Sequence, residues 1–326
     1  MKFDIQNPAF LQVAGNHLKV MRMTTSVEDQ EFFELSANGV VYIDSIKNGE
    51  KVRKTLVSPN NEFVAIENDA DTEIVVWGDV TYLNAGDDGN TGLTFLDASK
   101  NNALTHLNCI SCTGLTSLDF SKNTALTSLE CGYCTGLTSL DVSKNNALTS
   151  LNCYSCTGLT SLDVSKNNAL THLNCDGCTG LTSLDFSKNT SLTYLNCNGC
   201  TGLTSLDVSK NNALTILNCV GCTGLTSLDF SKNTALDNLG CNGCTGLMLL
   251  DIQNTALLRD GSIVDQGMEN LTTIQLNGTS KWAQGQIGGW LEQYAPTGGK
   301  LYADQDTLQE VLVAAEDKDW TIEYVA

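Results

Sequence analysis

Proline is almost missing from this chain, with three in 326 residues, and aromatic residues make up only 6 %. With a hydrophobic content of 41 %, that scarcity points away from an ordinary mixed core. Basic residues are also few: 18 Lys and Arg against 37 Asp and Glu leave a net charge of −19. A chain so acidic lacks the basic face that phosphate neutralisation requires, which excludes nucleic acid as a partner. No apolar run reaches about 18 residues, so insertion of a spanning helix into a membrane is excluded as well. The amino terminus, MKFDIQNPAF, lacks the charged-then-apolar layout of a secretory signal. Synthesis in the cytoplasm is the expectation, with incorporation into a virion as one destination; a cell-surface location requires that the chain be a processed mature form.

What the sequence does hold is cysteine in strict order. All 14 cysteines fall between 109 and 244. The first of each pair stands at Cys109, Cys131, Cys153, Cys175, Cys197, Cys219 and Cys241, 22 residues apart, and a partner follows three residues on, from Cys112 to Cys244. A fixed period of that length means a solenoid. One period, LTHLNCISCTGLTSLDFSKNTA from Leu104 to Ala125, divides into two similar halves of 11. Leu104, Leu107, Cys109 and Cys112 match Leu115, Leu118, Phe120 and Asn123. Each half reads L-x-x-L-x-φ-x-x-C/N, where φ is apolar. Alternation around Leu107–Cys109 predicts a short strand. Stacked coils bury a continuous leucine column that no single coil can bury alone. Seven coils at ~4.8 Å each give a stack of about 34 Å.

These motifs resemble the leucine-rich repeat family, in particular bacterial members with repeats of the LTSLDVSKNTALTxLxC kind found in Bacteroidetes surface proteins. The cysteine at a kernel position is similar to the listerial internalin J type. The resemblance covers roughly residues 80 to 280. It implies an α/β-type repeat solenoid of about nine coils, mostly strand and turn, and a non-catalytic role in recognition or adhesion.

Val80, Leu83, Ala85, Leu93, Leu96 and Ala98 trace a degenerate first coil, and Leu271, Ile274 and Leu276 repeat the kernel at the far end. The expected organisation is a β-rich part over 1–78, the solenoid over 79–279 and an α/β cap over 280–326. In the first part, strands are predicted at Leu18–Met23, Phe32–Leu35, Val40–Ile43, Lys51–Val57, Phe63–Glu67 and Thr72–Trp77, separated by turns such as Ala-Asn-Gly. The cap is predicted as helices over Trp282–Tyr294 and Thr307–Ala315, the latter after an Asp306 cap, with strands at Lys300–Ala303 and Trp320–Val325. Net charge is −8 over 1–100, −3 over 101–250 and −8 over 251–326, so the acidity lies in the flanks.

Paired cysteines invite a zinc reading, but a solenoid sets them in two parallel columns rather than tetrahedral clusters. Reduced, buried ladders are expected, with no metal and no other cofactor. Disulfides between parallel, in-register side chains have unsuitable dihedrals. A thiol or metal buffer is the weakest functional reading. Asn123 and its counterparts up to Asn233 are expected to bond backbone groups of their own and the next coil. Asp119 and its counterparts, three residues before Lys122 and its successors, read as a solvated column offset by lysine. The Thr-Gly before each second-half leucine reads as a turn. Catalysis finds no support: the three histidines, His17, His106 and His172, are not gathered, and no nucleophile is poised among them.

The second half of the repeat is nearly invariant, whereas the first varies at outward positions. One series is His106, Ser128, Ser150, His172, Tyr194, Ile216, Asn238; another is Ile110, Gly132, Tyr154, Asp176, Asn198, Val220, Asn242, beside Ser111, Tyr133, Ser155 and then glycines. The leucine-rich repeat resemblance implies that these are strand positions lining a concave face. The candidate binding residues are His106, Ile110, Tyr133, Tyr154, His172, Asp176, Tyr194 and Asn198, with a protein or cell-surface glycan as ligand. The competing reading is a bacteriophage virion or decoration protein, anchored in its assembly by residues 1–78.

Overall fold

A computed structural model describes residues 20–25, 29–47, 50–57, 59–60, 62–68, 73–86, 93–257, 263–264 and 267–325. Its amino-terminal part is antiparallel. Strands β1 (Val20–Thr25), β2 (Asp29–Lys47), β3 (Glu50–Val57), β4 (Glu62–Asn68), β5 (Glu73–Asn84) and β6 (Leu93–Asp97) form it. β2 pairs with β3, β4 and β5, and β1 lies between β5 and β6. Ala-Asn-Gly at 37–39 does not make the expected turn. The two predicted strands are one, β2, with its register shifted against β5 around Ala37–Gly39, where Gly39 takes a φ of 93°. Leu18 and Lys19 of the first predicted strand lie outside the described residues.

β5 serves two arrangements. Its Ile74–Trp77 stretch pairs antiparallel with β1, and its Tyr82–Asn84 end pairs parallel with His106–Asn108 of the first cysteine-bearing coil. From there, three-residue strands repeat every 22 residues: β7 (His106–Asn108), β8 (Ser128–Glu130), β9 (Ser150–Asn152), β10 (His172–Asn174), β11 (Tyr194–Asn196) and β12 (Ile216–Asn218). Each pairs parallel and in register with the next. Leucine at the centre of each strand, from Leu107 to Leu217, is buried, and its two neighbours are more exposed except in β11, where Asn196 is buried too.

The hydrogen-bonded column then changes sides. β13 (Ser227–Asp229) belongs to the second half of its coil, and β14 (Asn238–Gly240) ends the first-half sheet. A second parallel sheet runs from β13 through β15 (Leu249–Asp251), β16 (Thr273–Gln275), β17 (Lys300–Ala303) and β18 (Thr321–Tyr324). Helices α1 (Lys281–Gln293) and α2 (Gln309–Asp317) are the return segments of its last two turns. The helical segment therefore continues the solenoid's sheet, for about ten turns in all. The predicted Asp306 cap is not formed: Leu308 takes the N-cap position of α2 without a side-chain bond, and Asp304 receives the Thr307 hydroxyl instead. Ser280 caps α1 through the Ala283 N–H.

Three side-chain ladders tie one coil to the next. All 14 cysteines are buried and free. In the second cysteine column each thiol from Cys134 to Cys244 donates to the carbonyl of the first cysteine one coil back, as Cys134 to Cys109, Cys156 to Cys131 and Cys178 to Cys153, at 3.0–3.1 Å, and Cys112 donates to Ala85 O at 3.4 Å. Thiol–thiol contact with the next coil, and then burial, push the first-column thiols such as Cys153 and Cys175 well above the ordinary range, so they stay protonated at neutral pH. The asparagine amides donate twice into the preceding coil: Asn167 reaches Val142 O at 3.0 Å and Asn145 O at 2.9 Å. The bonds run to the previous coil and not to the residue's own turn, and Oδ1 of Asn123 through Asn233 has no partner among the described residues.

A threonine ladder was not anticipated, although threonine recurs at its position in six successive coils. Thr127 Oγ1 donates to Thr105 O, and the pattern continues to Thr215 on Thr193 O, at 3.0–3.1 Å. In the aspartate column, Asp141 Oδ1 accepts the Ser143 N–H at 2.9 Å. That bond and the Ser143 hydroxyl, more than Lys144, hold the carboxyl below its usual range. The offset by lysine is thus secondary to a turn closed by serine. Thr-Gly needs glycine for close approach: a Cβ on Gly180 would lie 2.6 Å from Leu159 O of the preceding coil.

Candidate functional site

Only part of the candidate set stands on strands. His106, His172 and Tyr194 occupy the outward first position of β7, β10 and β11. Ile110, Tyr154, Asp176 and Asn198 lie instead in the turn just after the strand, and Tyr133 one residue beyond. The expectation that all are strand residues is corrected accordingly: the buried cysteine that follows each strand ends it, and the chain turns there.

The turn's geometry is fixed by the strand before it. Asn108 Oδ1 accepts the Ile110 N–H at 2.9 Å, Asn174 accepts that of Asp176 at 3.1 Å, and Asn196 accepts that of Asn198 at 3.1 Å. The turn's second residue is left-handed. Ser111, Tyr133 and Ser155 have φ of 55–62°, where later coils use Gly177, Gly199, Gly221 and Gly243 at 62–72°. A bulky residue in that conformation costs roughly 1–2 kcal/mol. Tyr133 carries that strain with its side chain 48 % exposed.

The rings gather in three pairs. Tyr133 and Tyr154 meet edge to face with centroids 4.7 Å apart. His172 stacks on its in-register neighbour Tyr194 at 5.9 Å, and Tyr82 lies 6.3 Å from His106. Tyr154 lies down across the previous coil because residue 132 is glycine: a Cβ there would fall 2.0 Å from the ring. His106 and His172 each hold Nδ1 against the hydroxyl of the preceding threonine, at 2.8 and 2.9 Å.

The remaining candidates differ in role. Ile110 is half-buried. Asn198 Oδ1 accepts the Val220 N–H of the next coil at 2.8 Å, which ties two turns together. Asp176 is half-buried, and desolvation raises its carboxyl above the usual range against an opposing bond from Asn196. One residue of the face escaped the sequence reading. Glu130 stands where Asn108, Asn152, Asn174, Asn196 and Asn218 stand in other coils, and its departure from that series was the available signal.

Among the described residues no three His, Cys, Asp or Glu side chains come together in a way that could hold a metal ion. No helix among them is long and apolar enough to cross a membrane. What the arrangement offers is a surface of half-exposed rings and short polar side chains on a ladder-bonded support.

No protein-family model matches the chain, and no curated protein matches it. Among solved structures, it is similar to the functional domain of InlJ from Listeria monocytogenes, described as including a cysteine ladder. The identity is 28 % over 65 % of this chain and 53 % of that one, with a TM-score of 0.38. It is also similar to an internalin, InlF, from Listeria monocytogenes str. 4b F2365, at 17 % identity over 74 % of this chain and 86 % of that one, TM-score 0.35. The chain thus spans about half the length of the InlJ domain. By its own 22-residue coils and stacked cysteine pairs, the chain is a solenoid of leucine-rich coils with a cysteine ladder, a feature also described for the InlJ domain.

Proposed function

We propose that this chain is a non-catalytic recognition protein that binds a protein partner through the outward face formed by β7–β11 and the turns that follow them. One observation carries the reading. Coils that are near copies of one another differ mainly at outward first-half positions, and there they place Tyr133 against Tyr154 and His172 against Tyr194. Tyrosine supplies large contact area at low entropy cost and is enriched where interfaces bind most strongly. The ladders hold these rings in fixed register, so little ordering is needed on binding.

The test is a protein array probed with the wild-type chain and with Tyr133→Ala/His172→Ala/Tyr194→Ala. Interactions specific to this face should weaken by about ten-fold or more, as loss of interface anchors does. Ser117→Ala/Ser139→Ala/Ser161→Ala, on the invariant half of the repeat, should leave them intact. Gly132→Ala extends the test: the three atoms nearest the added Cβ all belong to the Tyr154 ring, so it should displace that ring and weaken binding. Equal binding by all these proteins overturns the reading.

A further inference from the structure

The charges on the two halves of the repeat are segregated. Every cation between 101 and 250 is one of the lysines Lys122, Lys144, Lys166, Lys188, Lys210 and Lys232, all in the second half and all exposed. The first halves contain no Lys or Arg; their charged residues are Glu130, Asp176 and Asp237, with His106 and His172. Glu130 lies outward on β8, in register with Asn152 on β9, and Asp176 lies in the turn after β10. Two coils separate them, about 10 Å at the spacing of parallel strands. The paired rings of Tyr133 and Tyr154 lie at Glu130's level of the stack: Tyr133 is in the same coil and the Tyr154 ring lies over Gly132, with Tyr133 the more exposed.

A carboxylate at the level of an exposed phenol pair and a second two coils on, with no Lys or Arg in these half-coils, favour one kind of visitor. A ring face attracts a cation, and a half-desolvated carboxylate gains more from a cation than one in open water. An acidic or neutral ligand gains neither. We infer that the strip from Glu130 to Tyr194 docks a lysine- or arginine-bearing segment of a protein, its cationic side chains lying over the Tyr133–Tyr154 pair beside Glu130 and along the stack toward Asp176. This inference rests on the recognition reading above and names the chemistry of the partner. The raised carboxyl of Asp176 agrees with it, because a neighbouring cation relieves the cost that burial imposes.

The probe is a labelled nine-residue peptide alternating lysine, arginine and glycine, titrated by fluorescence anisotropy against the full chain. A glutamate-for-lysine peptide and a chito-oligosaccharide serve as competitors. Glu130→Gln/Asp176→Asn, which keeps side-chain shape, should weaken peptide binding about ten-fold, the size expected for a desolvated cation–ring and charge contact. Glu310→Gln/Glu316→Gln, which removes as many charges from exposed positions of α2, should change it less than about two-fold, as screened surface charges do. An equal loss in both double variants would show generic attraction to an acidic chain and overturn the inference. So would preference for the oligosaccharide, or no peptide binding. Failure of the recognition reading is told apart on the array: partners lost with Tyr133→Ala/His172→Ala/Tyr194→Ala but kept with Glu130→Gln/Asp176→Asn leave that reading intact and remove only the basic segment. Partners kept by both variants remove both.

Discussion

At the scale of single residues, two cysteines of one coil do different jobs though their neighbours look alike. The thiol of Cys178 donates to Cys153 O at 3.1 Å, so it replaces a backbone hydrogen bond between coils. Cys175 meets the Cys200 thiol and is wholly buried. A serine at 178 keeps a donor aimed at that carbonyl, whereas a serine at 175 buries a hydroxyl against sulfur. Cys178→Ser should therefore cost under about 1 kcal/mol and Cys175→Ser roughly 1–3 kcal/mol. Urea unfolding of the two variants measures the difference, and equal midpoints would refute the separate roles. The sequence made the burial of both cysteines legible through period alone. Which of them donates depends on where the preceding coil's carbonyl points.

At the scale of the element, a side chain captures the N–H two residues on, Asn108, Asn152, Asn174 and Asn196 in one half of the coil and Asp in the other. The Asp member carries a pH dependence. Hydrogen bonds from Ser121, Ser143, Ser165, Ser187 and Ser209 hold the carboxyls of Asp119, Asp141, Asp163, Asp185 and Asp207 below their usual range. A depressed folded-state pKa means stability that is present above the unfolded value, near pH 4, and lost as pH falls through the folded value. Thermal midpoints should be level from neutral pH down to about pH 5 and fall below about pH 4. Replacing those five aspartates by asparagine should flatten that fall, because the amide oxygen keeps the turn bond without titrating. The column of aspartates was legible in the sequence; its pairing with serine ahead of lysine was not, since both recur with the same period. The two 11-residue halves are likewise alike in sequence, yet from Leu104 to Asn218 only the first forms named strands. The second makes isolated bridges such as Asp141–Asp163 and becomes a strand column from Ser227 onward. Neither half's local pattern distinguishes them.

At the scale of the molecule, register is the organising constraint. Because each coil contacts its neighbours through three ladders of identical period, removal of a whole coil leaves every column continuous. Excision of Leu148–Ala169, 22 residues, should give a chain that unfolds in one transition, with a denaturant slope reduced roughly in proportion to the surface removed. Excision of Leu148–Gly158, 11 residues, sets an asparagine half against a cysteine half. It should lose cooperative unfolding. Equal behaviour of the two deletions would place the period of the fold at 11 rather than 22. The same constraint explains the helices at the end: β16, β17 and β18 keep the parallel register while α1 and α2 fill the returns, so the sheet continues after the cysteines stop.

Periodicity was enough to determine the solenoid, its buried leucine and cysteine columns and the limits of the regular stack, because these follow from spacing along one chain. The tertiary structure decided the rest. It joined Phe32–Leu35 to Val40–Ile43 as one strand, ran β5 into the first coil, and moved the strand column from one half to the other. It also placed Tyr154 over Gly132 and Tyr133 in a left-handed turn. Each of these depends on a neighbour 20 or more residues away, whose carbonyl or missing Cβ the local sequence does not reveal.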